Sequence, residues 1–402
     1  MNNQQMKALI VTKRLIAGGG ATLVTALIIE ALLNLNWEVK VVCYDVDELD
    51  AFKKNLGIDL KNPNLTIEKV DTWMARRIRW SGYLDSFYLM RFVKKKKYPD
   101  YILFSTWDEM DLGRKSLQYV HWISHHPGTD NGSKPISDSL TSKLKMIYRF
   151  PISKIFNFDE KRVKENISIF NSHLTKRQFQ KLYGESSGEV IHPPVLINAT
   201  SMLKFIEREE GFVYSGRVVR DKNIHLMIEF IKRVNINGSD FHFHIVGPIL
   251  DEEYKNELVQ KYPYDWVVFE GNKNRMELSE ILGKHKYAIQ ARYIEPFGMA
   301  AAESCKMGCL TFVPVRCGMA EFIDFETLKF ADFDDLYHKF KSLQNDFELQ
   351  CKISQNLNQN FSQFTPEKFQ KQIQTVFLKA RDRISAKGSL PKQVKEFTFV
   401  DH

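Results

Sequence analysis

Short apolar strands that alternate with helical patterns limit the fold of this chain more than any other feature. Lys7–Thr12 is typical of a buried parallel strand, and the turn Gly18–Gly20 follows it. Apolar residues spaced from Leu23 to Leu33 predict a helix, and Val39–Tyr44 predicts the next strand. Such a unit is characteristic of a doubly wound α/β sheet. It lacks Gly-x-Gly-x-x-Gly, so the turn is not a dinucleotide fingerprint.

The same alternation continues through the 402 residues, which are too many for one core and suit two domains. We predict two Rossmann-like domains, residues 1–198 and 199–362, then a helix over 363–386 that crosses back and a polar tail over 387–402. The double proline at Pro193 and Pro194 ends the first domain. The other predicted strands are Leu65–Val70, Tyr101–Ser105, Gln118–Trp122, Ser168–Ser172, Glu189–Val195, 211–215, 241–247, 266–270, 286–291 and 309–313.

Charge and cysteine content exclude few classes of function. The formal charge of +8 favours anionic partners, which include phosphate-bearing ligands, anionic lipids and nucleic acid. The five cysteines form no disulfide-scaffold pattern, and Cys305, Cys309 and Cys317 lack the histidine that would complete a finger-like metal site. We expect them to be buried small residues. A polar start without a signal-peptide pattern, and no apolar window of about eighteen residues, predict a cytoplasmic protein that does not span a membrane.

Glu295 and Glu303 are the strongest candidates for a functional site. Between them lie Gly298 and an alanine run, which predict a helix that begins at a glycine after a strand and a loop. The free backbone N–H groups and the positive dipole end of such a helix suit a phosphate. Glu303 would accept hydrogen bonds from paired sugar hydroxyls. The alternative is an ordinary helix with a glutamate near its N-terminus, which the dipole also favours.

Two further motifs accompany this segment. The strand Phe212–Ser215 ends at Gly216, with Arg217 and Lys222 behind it, and Cys317–Glu321 forms a turn before a helix. With the Glu-x7-Glu segment, these motifs resemble the retaining family 4 glycosyltransferases of the GT-B fold, over nearly the whole chain. In those enzymes two Rossmann-like domains face each other across a cleft.

The resemblance implies a site for a nucleotide-diphosphate sugar. Arg217 and Lys222 would stabilise the departing diphosphate in place of a divalent metal, so no metal cofactor is expected. Glu303 would bind the ribose, and Glu295 would face the donor sugar. The implied donor-binding residues are Gly19, Gly20, Gly216, Arg217, Lys222, Asn272, Arg275, Glu295, Phe297, Gly298, Met299 and Glu303. The implied catalytic residues are His121, Arg217, Lys222 and Glu295.

The chain departs from the family pattern at the third motif. Cys317 stands where the family usually has its first glycine, and Ser304–Lys306 replaces a common Ala-Met-Ala. Both glutamates, Arg217 and Lys222 remain as in the family pattern. Glu321 is expected to order the turn Cys317–Ala320.

A cluster of histidines follows the predicted strand that ends at Trp122. His121 lies at the strand end, where the family often has an active-site histidine near the donor sugar, and His125 and His126 follow. A strand-end histidine in a cleft is suited to donate a hydrogen bond to substrate. His121 is the first candidate, and the sequence leaves the choice among the three open.

A basic, aromatic segment separates two strands of the first half. Aromatic residues and leucines interleave with arginines over Trp73–Val93, and Lys94–Lys97 follow. The pattern predicts a helix in a membrane interface, with an internal helix pair as the alternative. Nucleic-acid binding is not expected, because no recognised module accompanies the patch. The candidate membrane or acceptor residues are Trp73, Arg76, Arg77, Arg79, Trp80, Lys94, Lys95, Lys96 and Lys97.

A second resemblance concerns the donor and acceptor. Tyr119–Trp122, a helical stretch near Lys143–Phe150, Asn171–Lys176 and Ile191–Val195 are similar to the dolichol-linked mannosyltransferases. This resemblance implies GDP-mannose as donor, a lipid-linked or glycan acceptor, and attachment to the cytosolic face of a membrane. The alternatives are a UDP-glucose-dependent glucosyltransferase and a catalytically silent GT-B scaffold that binds glycan or lipid.

Overall fold

The computed structural model contains two parallel α/β sheets, which confirms the predicted fold class. It describes residues 5–70, 82–126, 151–186, 188–197, 202–236 and 238–385. The predicted helix near Lys143–Phe150 and the residues Trp73, Arg76, Arg77, Arg79 and Trp80 lie outside these ranges.

The N-terminal sheet has seven strands in the order β5-β3-β1-β6-β7-β8-β9, all parallel. Helices cover both faces of this sheet and bury successive side chains of each strand. The strands at its centre are therefore apolar along their length. The strands are β1 Lys7–Val11, β3 Glu38–Cys43, β5 Leu65–Lys69, β6 Ile102–Ser105, β7 Leu117–Val120, β8 Ile167–Phe170 and β9 Glu189–Val190, while β2 Arg14–Leu15 and β4 Asp45–Val46 pair separately. The helices are α1 Gly20–Leu33, α2 Leu49–Leu56, α3 Gly82–Lys96, α4 Glu160–Glu165 and α5 His173–Tyr183.

The C-terminal sheet has six parallel strands in the order β12-β11-β10-β13-β14-β15. These strands are β10 Glu209–Ser215, β11 His242–Val246, β12 Val267–Gly271, β13 His285–Ile289, β14 Leu310–Pro314 and β15 Lys329–Phe330. The helices are α6 Ile224–Ile236, α7 Glu252–Lys261, α8 Arg275–Lys284, α9 Met299–Lys306, α10 Phe333–Gln344, α11 Phe347–Phe361 and α12 Pro366–Ser385. Short 3-10 turns lie at Phe205–Glu207, Arg220–Lys222, Gly318–Glu321 and Glu326–Leu328.

The last helix, α12, packs on the N-terminal domain. Phe369, Ile373 and Phe377 are buried in the same apolar cluster as the helix α1. The Phe377 ring lies edge-on to Trp37 at 5.6 Å, and Gln374 Nε2 donates to the Ala31 carbonyl at 2.8 Å. The last described helix therefore belongs to the core of the domain that contains α1.

One predicted strand is shorter than expected. The pattern over Glu189–Val195 predicts a seven-residue strand, but β9 covers only Glu189–Val190. Pro193 and Pro194 have no N–H group to donate to a ladder, so the chain leaves the sheet before it reaches them.

The prediction of a membrane-interface helix is wrong for α3. Its apolar residues Phe87, Met90 and Val93 are buried in the core. Lys94 Nζ lies 2.6 Å from the buried Asp111 carboxylate, and Lys96 pairs with Glu68. The aromatic and apolar face is used inside the protein, which is the internal-helix alternative; Lys95 and Lys97 remain exposed. No helix of the described ranges is long and apolar enough to cross a bilayer.

The five cysteines are free thiols, as expected. Cys43, Cys305, Cys309 and Cys317 are buried and Cys351 is half-buried. Burial raises the pKa of Cys309 to about 12, and that of Cys317 likewise to about 12. Both thiols are therefore protonated and unreactive at neutral pH.

Candidate active site

A cluster of charges lies where β10 and β13 end. Lys222 Nζ donates to Glu295 Oε2 at 2.7 Å, and Arg292 Nη1 lies 3.4 Å from the same oxygen. Arg292 Nη2 also lies 3.3 Å from Asp221 Oδ2. The side chain of Asn223, at φ 56°, donates to the Ala291 carbonyl at 2.9 Å and so ties the two loops together. Ligands of open α/β sheets bind at this edge.

The cations decide the ionisation of Glu295. Its burial by itself raises the pKa, but Lys222 and Arg292 outweigh that effect and hold the pKa below its usual value of 4.5. Glu295 is therefore a carboxylate at neutral pH, able to accept hydrogen bonds from hydroxyl groups. Sequence reasoning missed Arg292; its position three residues before Glu295, just after a strand end, was the available signal.

Arg217, the other predicted cation, is arranged differently. Its side chain is exposed, whereas its carbonyl accepts from the Tyr214 hydroxyl at 2.9 Å. Within the described ranges the guanidinium has no hydrogen bond or ion pair. Gly216, which precedes it, has its N–H bonded to the Val246 carbonyl at 2.8 Å, so the backbone below Arg217 is fixed while its side chain is free for a ligand.

The predicted helix after Gly298 is α9, and its N-terminus is open. Gly298 is the N-cap, no side chain caps the helix, and the first turn holds no acidic residue. Glu295 lies against this start, since a Cβ on Gly298 would be 3.4 Å from Glu295 Cγ. Gly318 N donates to the Glu295 carbonyl at 2.8 Å, which fixes the loop. Free N–H groups thus lie beside the charge cluster.

Glu303 lies further along α9 and forms a second pair. Its Oε1 is 3.5 Å from Arg275 Nη1, and Arg275 also donates to the Leu196 carbonyl at 3.3 Å. Burial raises the pKa of Glu303 above 4.5, and Arg275 opposes that shift only in part. Asn272 is exposed in the loop before α8. Arg275, one of the implied donor-binding residues, therefore also holds Glu303.

The glycine-rich turn of the N-terminal domain meets the donor loop directly. α1 begins at Gly20, with Gly19 as an N-cap at φ 84° and no side-chain cap. A Cβ on Gly20 would be 3.0 Å from the Met299 Cγ atom, so glycine permits the close approach. The N-termini of α1 and α9 therefore come together between the two domains. Phe297, the neighbour of these residues, is buried and stacks on His192 at 5.9 Å.

His121 lies at the carboxyl end of β7 with one nitrogen unpaired. Its Nε2 is buried and has no hydrogen-bond partner in the part of the chain that the structure describes. Burial lowers the pKa of His121 to about 4, against a hydrogen bond with the Thr106 backbone, so the ring is neutral. Its backbone N–H donates to Asp108 Oδ1 at 3.1 Å.

The two other histidines of this cluster have different environments. His125 is 1% exposed, and its Nδ1 lies 2.5 Å from the Glu109 carbonyl, so it is part of the core. His126 packs edge-on against Tyr183 at 4.9 Å. Of the three, His121 alone sits directly at the end of the strand; His125 Nε2 is also buried without a hydrogen-bond partner among the described residues, but its ring lies in the core.

Glu321 connects the two domains instead of ordering its own turn. Its carboxylate accepts from the His173 backbone N–H at 2.9 Å and from Arg177 Nη2 at 2.9 Å. His173 begins α5, so the carboxylate lies at the positive end of that helix. The expectation for Glu321 is corrected, because its partners come from a domain that the local sequence does not reveal.

Two facing Rossmann-like domains with a site between their strand ends define the GT-B fold, and solved structures agree. Sucrose-phosphate synthase from Thermosynechococcus elongatus matches with a TM-score of 0.69 at 15% identity, over 95% of this chain and 100% of that chain. Anabaena HepE in complex with UDP-glucose matches with a TM-score of 0.65 at 14% identity, over 93% of this chain and 100% of that chain. Trehalose 6-phosphate synthase from Burkholderia multivorans matches with a TM-score of 0.67 at 9% identity, over 97% of this chain and 100% of that chain.

The family comparison concerns the C-terminal domain. Residues 201–380 match the family described as Glycosyl transferases group 1. No curated protein sequence matches the chain. This match covers 180 of the 402 residues, and the solved structures agree with it in fold.

Proposed function

We propose that this protein is a retaining glycosyltransferase that moves a hexose from a nucleotide-diphosphate sugar to a lipid-linked or glycan acceptor. One observation carries the proposal: Lys222 and Arg292 converge on Glu295 beside the open N-terminus of α9. Cations and free N–H groups in one place suit a diphosphate, and the carboxylate among them suits sugar hydroxyls.

The transfer reaction requires that negative charge on the leaving group be stabilised. When the anomeric C–O bond breaks, negative charge develops on the departing diphosphate. Arg217 offers a planar fork of donors that no described residue occupies, and Lys222 offers a point charge that Glu295 already orients. Each preorganised donor of this kind is worth about 10²–10³ in rate. As the resemblance to retaining enzymes implies, we expect the departing donor phosphate itself to take the proton of the acceptor hydroxyl.

The other residues contact parts of the donor that do not react. Glu303 would accept from the ribose hydroxyls, with Arg275 and Asn272 at the base. Gly19 and Gly20 would line the diphosphate from the opposite domain, since Gly20 already touches Met299. His121 would donate or accept through its unpaired Nε2 at the donor sugar. Contacts that bind the ground state and the transition state equally well affect KM more than kcat.

We further propose that the transfer needs no divalent metal, because Arg217, Lys222 and Arg292 supply the positive charge that a metal would bring. Turnover should then be unchanged by the addition or the removal of Mg²⁺ or Mn²⁺. Activity that requires one of these ions would overturn this part of the proposal.

The donor is GDP-mannose in our first hypothesis, on the sequence resemblance to dolichol-linked mannosyltransferases. UDP-glucose is the second candidate, because the structural neighbour HepE was solved in complex with it. Because the apolar residues of α3 are buried, a peripheral attachment to an anionic cytosolic membrane face would use the exposed end of this helix, which includes Lys95 and Lys97.

A donor panel tests the proposal. GDP- and UDP-hexoses are screened for thermal stabilisation, where a donor at a hundred times its Kd adds about 2.7 kcal/mol, and for slow hydrolysis. The variants Arg217→Ala and Glu303→Ala should lose both signals, whereas Arg91→Ala, which removes an exposed arginine of α3, should keep them. Stabilisation without any hydrolysis or transfer would favour the silent scaffold. No stabilisation by any donor would reject the function.

A further inference from the structure

Three histidines meet near the edge of the C-terminal sheet where its strands begin, which is opposite the cleft. His242 and His244 lie on β11, and His285 begins β13. One ring nitrogen of each lies within 4.8 Å of the other two. β10 runs from Glu209 at this edge to Ser215 at the cleft, about 20 Å at about 3.3 Å per residue. The cluster is therefore separate from the proposed donor site.

A glycine allows the rings to meet. β10 lies between β11 and β13, and Gly211 is the residue of β10 that pairs with His242. A Cβ on Gly211 would be 2.1 Å from His242 Nε2, so only glycine leaves room for that ring to lie across β10. The ring then reaches His285, with the two Nε2 atoms 3.1 Å apart.

The spacing suits a tetrahedral metal ion. Two ligands that are each about 2.0–2.1 Å from zinc lie about 3.4 Å apart in a tetrahedron. The Nε2 atoms of His242 and His285 are already at 3.1 Å. Glu209 Oε2 lies 3.2 Å from His242 Nε2 and 4.0 Å from His285 Nε2, so a carboxylate is available as a fourth ligand.

Two of the three remaining ring nitrogens, those of His285 and His244, are held in the manner of metal-binding histidines. His285 Nδ1 lies 2.7 Å from the Ile281 carbonyl, and His244 Nδ1 lies 2.8 Å from Glu270 Oε1. Ligating histidines almost always donate their other N–H to a carbonyl or a carboxylate, which fixes the ring and directs Nε2 to the metal. Glu270 is itself held by Lys273 at 3.1 Å.

We propose that His242, His244, His285 and Glu209 form a structural binding site for a divalent transition metal of the zinc class. Imidazole and carboxylate ligands suit Zn²⁺, and a closed set of four protein ligands is typical of a structural site. His285 is buried while the His242 side chain is 29% exposed, so an ion can enter from the surface. The ion would join three strands of the C-terminal sheet through their first residues.

Metal binding by the full chain, made without a histidine tag and stripped with a chelator, is the test. We expect one Zn²⁺ per chain by elemental analysis after equilibrium dialysis. X-ray absorption should report nitrogen and oxygen ligands at about 2.0–2.1 Å. The Tm should rise by about 5–10 °C at a hundredfold excess of zinc over its Kd. Bound Co²⁺ should give the visible spectrum of a tetrahedral site.

Variants separate this site from adventitious binding. The double variant His242→Gln/His244→Gln should lose the ion and the Tm rise, whereas His338→Gln, at an exposed histidine of α10, should keep both. Glu270→Gln should weaken the affinity about 10–100-fold. If the double variant binds zinc as well as wild type, or if wild type binds no stoichiometric zinc, the proposal is overturned. Should the double variant fail to fold, the X-ray absorption spectrum of wild type decides alone.

Discussion

Lys222 Nζ and Glu295 Oε2 lie 2.7 Å apart, although the two residues follow different strands of the C-terminal sheet. The contact joins the loop after β10 to the loop after β13 at the point where the proposed diphosphate would bind. Their side chains are 13% and 25% exposed, so water screens the pair only partly. Glu295 therefore has its charge fixed before any donor arrives, which is the condition for preorganised stabilisation.

Replacing the two predicted cations should separate catalysis from stability. Arg217→Ala should lower kcat/KM by about 10²–10³ and leave the free energy of unfolding within about 0.5 kcal/mol, because the exposed side chain has no described partner. Lys222→Ala should lower both, since it leaves Glu295 with Arg292 alone. Donor turnover and thermal melts of each variant measure the two effects. Wild-type turnover in Arg217→Ala would contradict the diphosphate site.

Glu303→Gln should stabilise the protein without ligand while it weakens donor binding. Burial raises the pKa of Glu303 above 4.5, so the folded state holds that proton more tightly than the unfolded state. The carboxyl group's contribution to stability is then complete below pH 4.5 and is lost as the pH rises through the folded pKa. Glutamine has no such proton to lose.

The Tm difference between Glu303→Gln and wild type should therefore grow from pH 4.5 to pH 7. Glu280→Gln, at an exposed position of α8, is the matched control and should show no such trend. A Tm difference that is independent of pH would mean that Glu303 keeps an ordinary pKa.

His121→Ala should reduce kcat/KM by about tenfold, which corresponds to one lost hydrogen bond of about 1.4 kcal/mol. Because the pKa of His121 is about 4, the ring is neutral above pH 5 or so, and it should contribute no inflection near pH 6.5 to the pH–rate profile. His338→Gln serves as a control. Wild-type rates in His121→Ala would remove this residue from the site and return attention to His126.

Lys94→Gln tests how α3 is used. Lys94 pairs with the fully buried Asp111, which also accepts from Arg162 at 2.9 Å. Removing the ammonium should cost about 1–3 kcal/mol, because one donor to a buried carboxylate is lost. Lys95→Gln, at an exposed neighbour, should be neutral within about 0.5 kcal/mol. Urea unfolding of both variants gives the comparison; equal stabilities would mean that Lys94 faces solvent.

The error about α3 has a physical cause. Aromatic residues interleaved with cations cover one face of a helix whether that face meets lipid or the core of the protein. The local sequence is the same in both cases. The partners that decide it, Glu68 and Asp111, lie outside α3, 28 and 17 residues from the lysines they bind, and are brought there by β5 and the loop after β6.

Spacing within a few residues is enough to predict the alternating strands and helices and the helix that begins after Gly298. Tertiary structure alone decided which charges meet. Glu321 pairs across the domains with Arg177, and His242 reaches His285 over a third strand. Pairs of this kind depend on strand order and domain docking, which bring together residues that no local period connects.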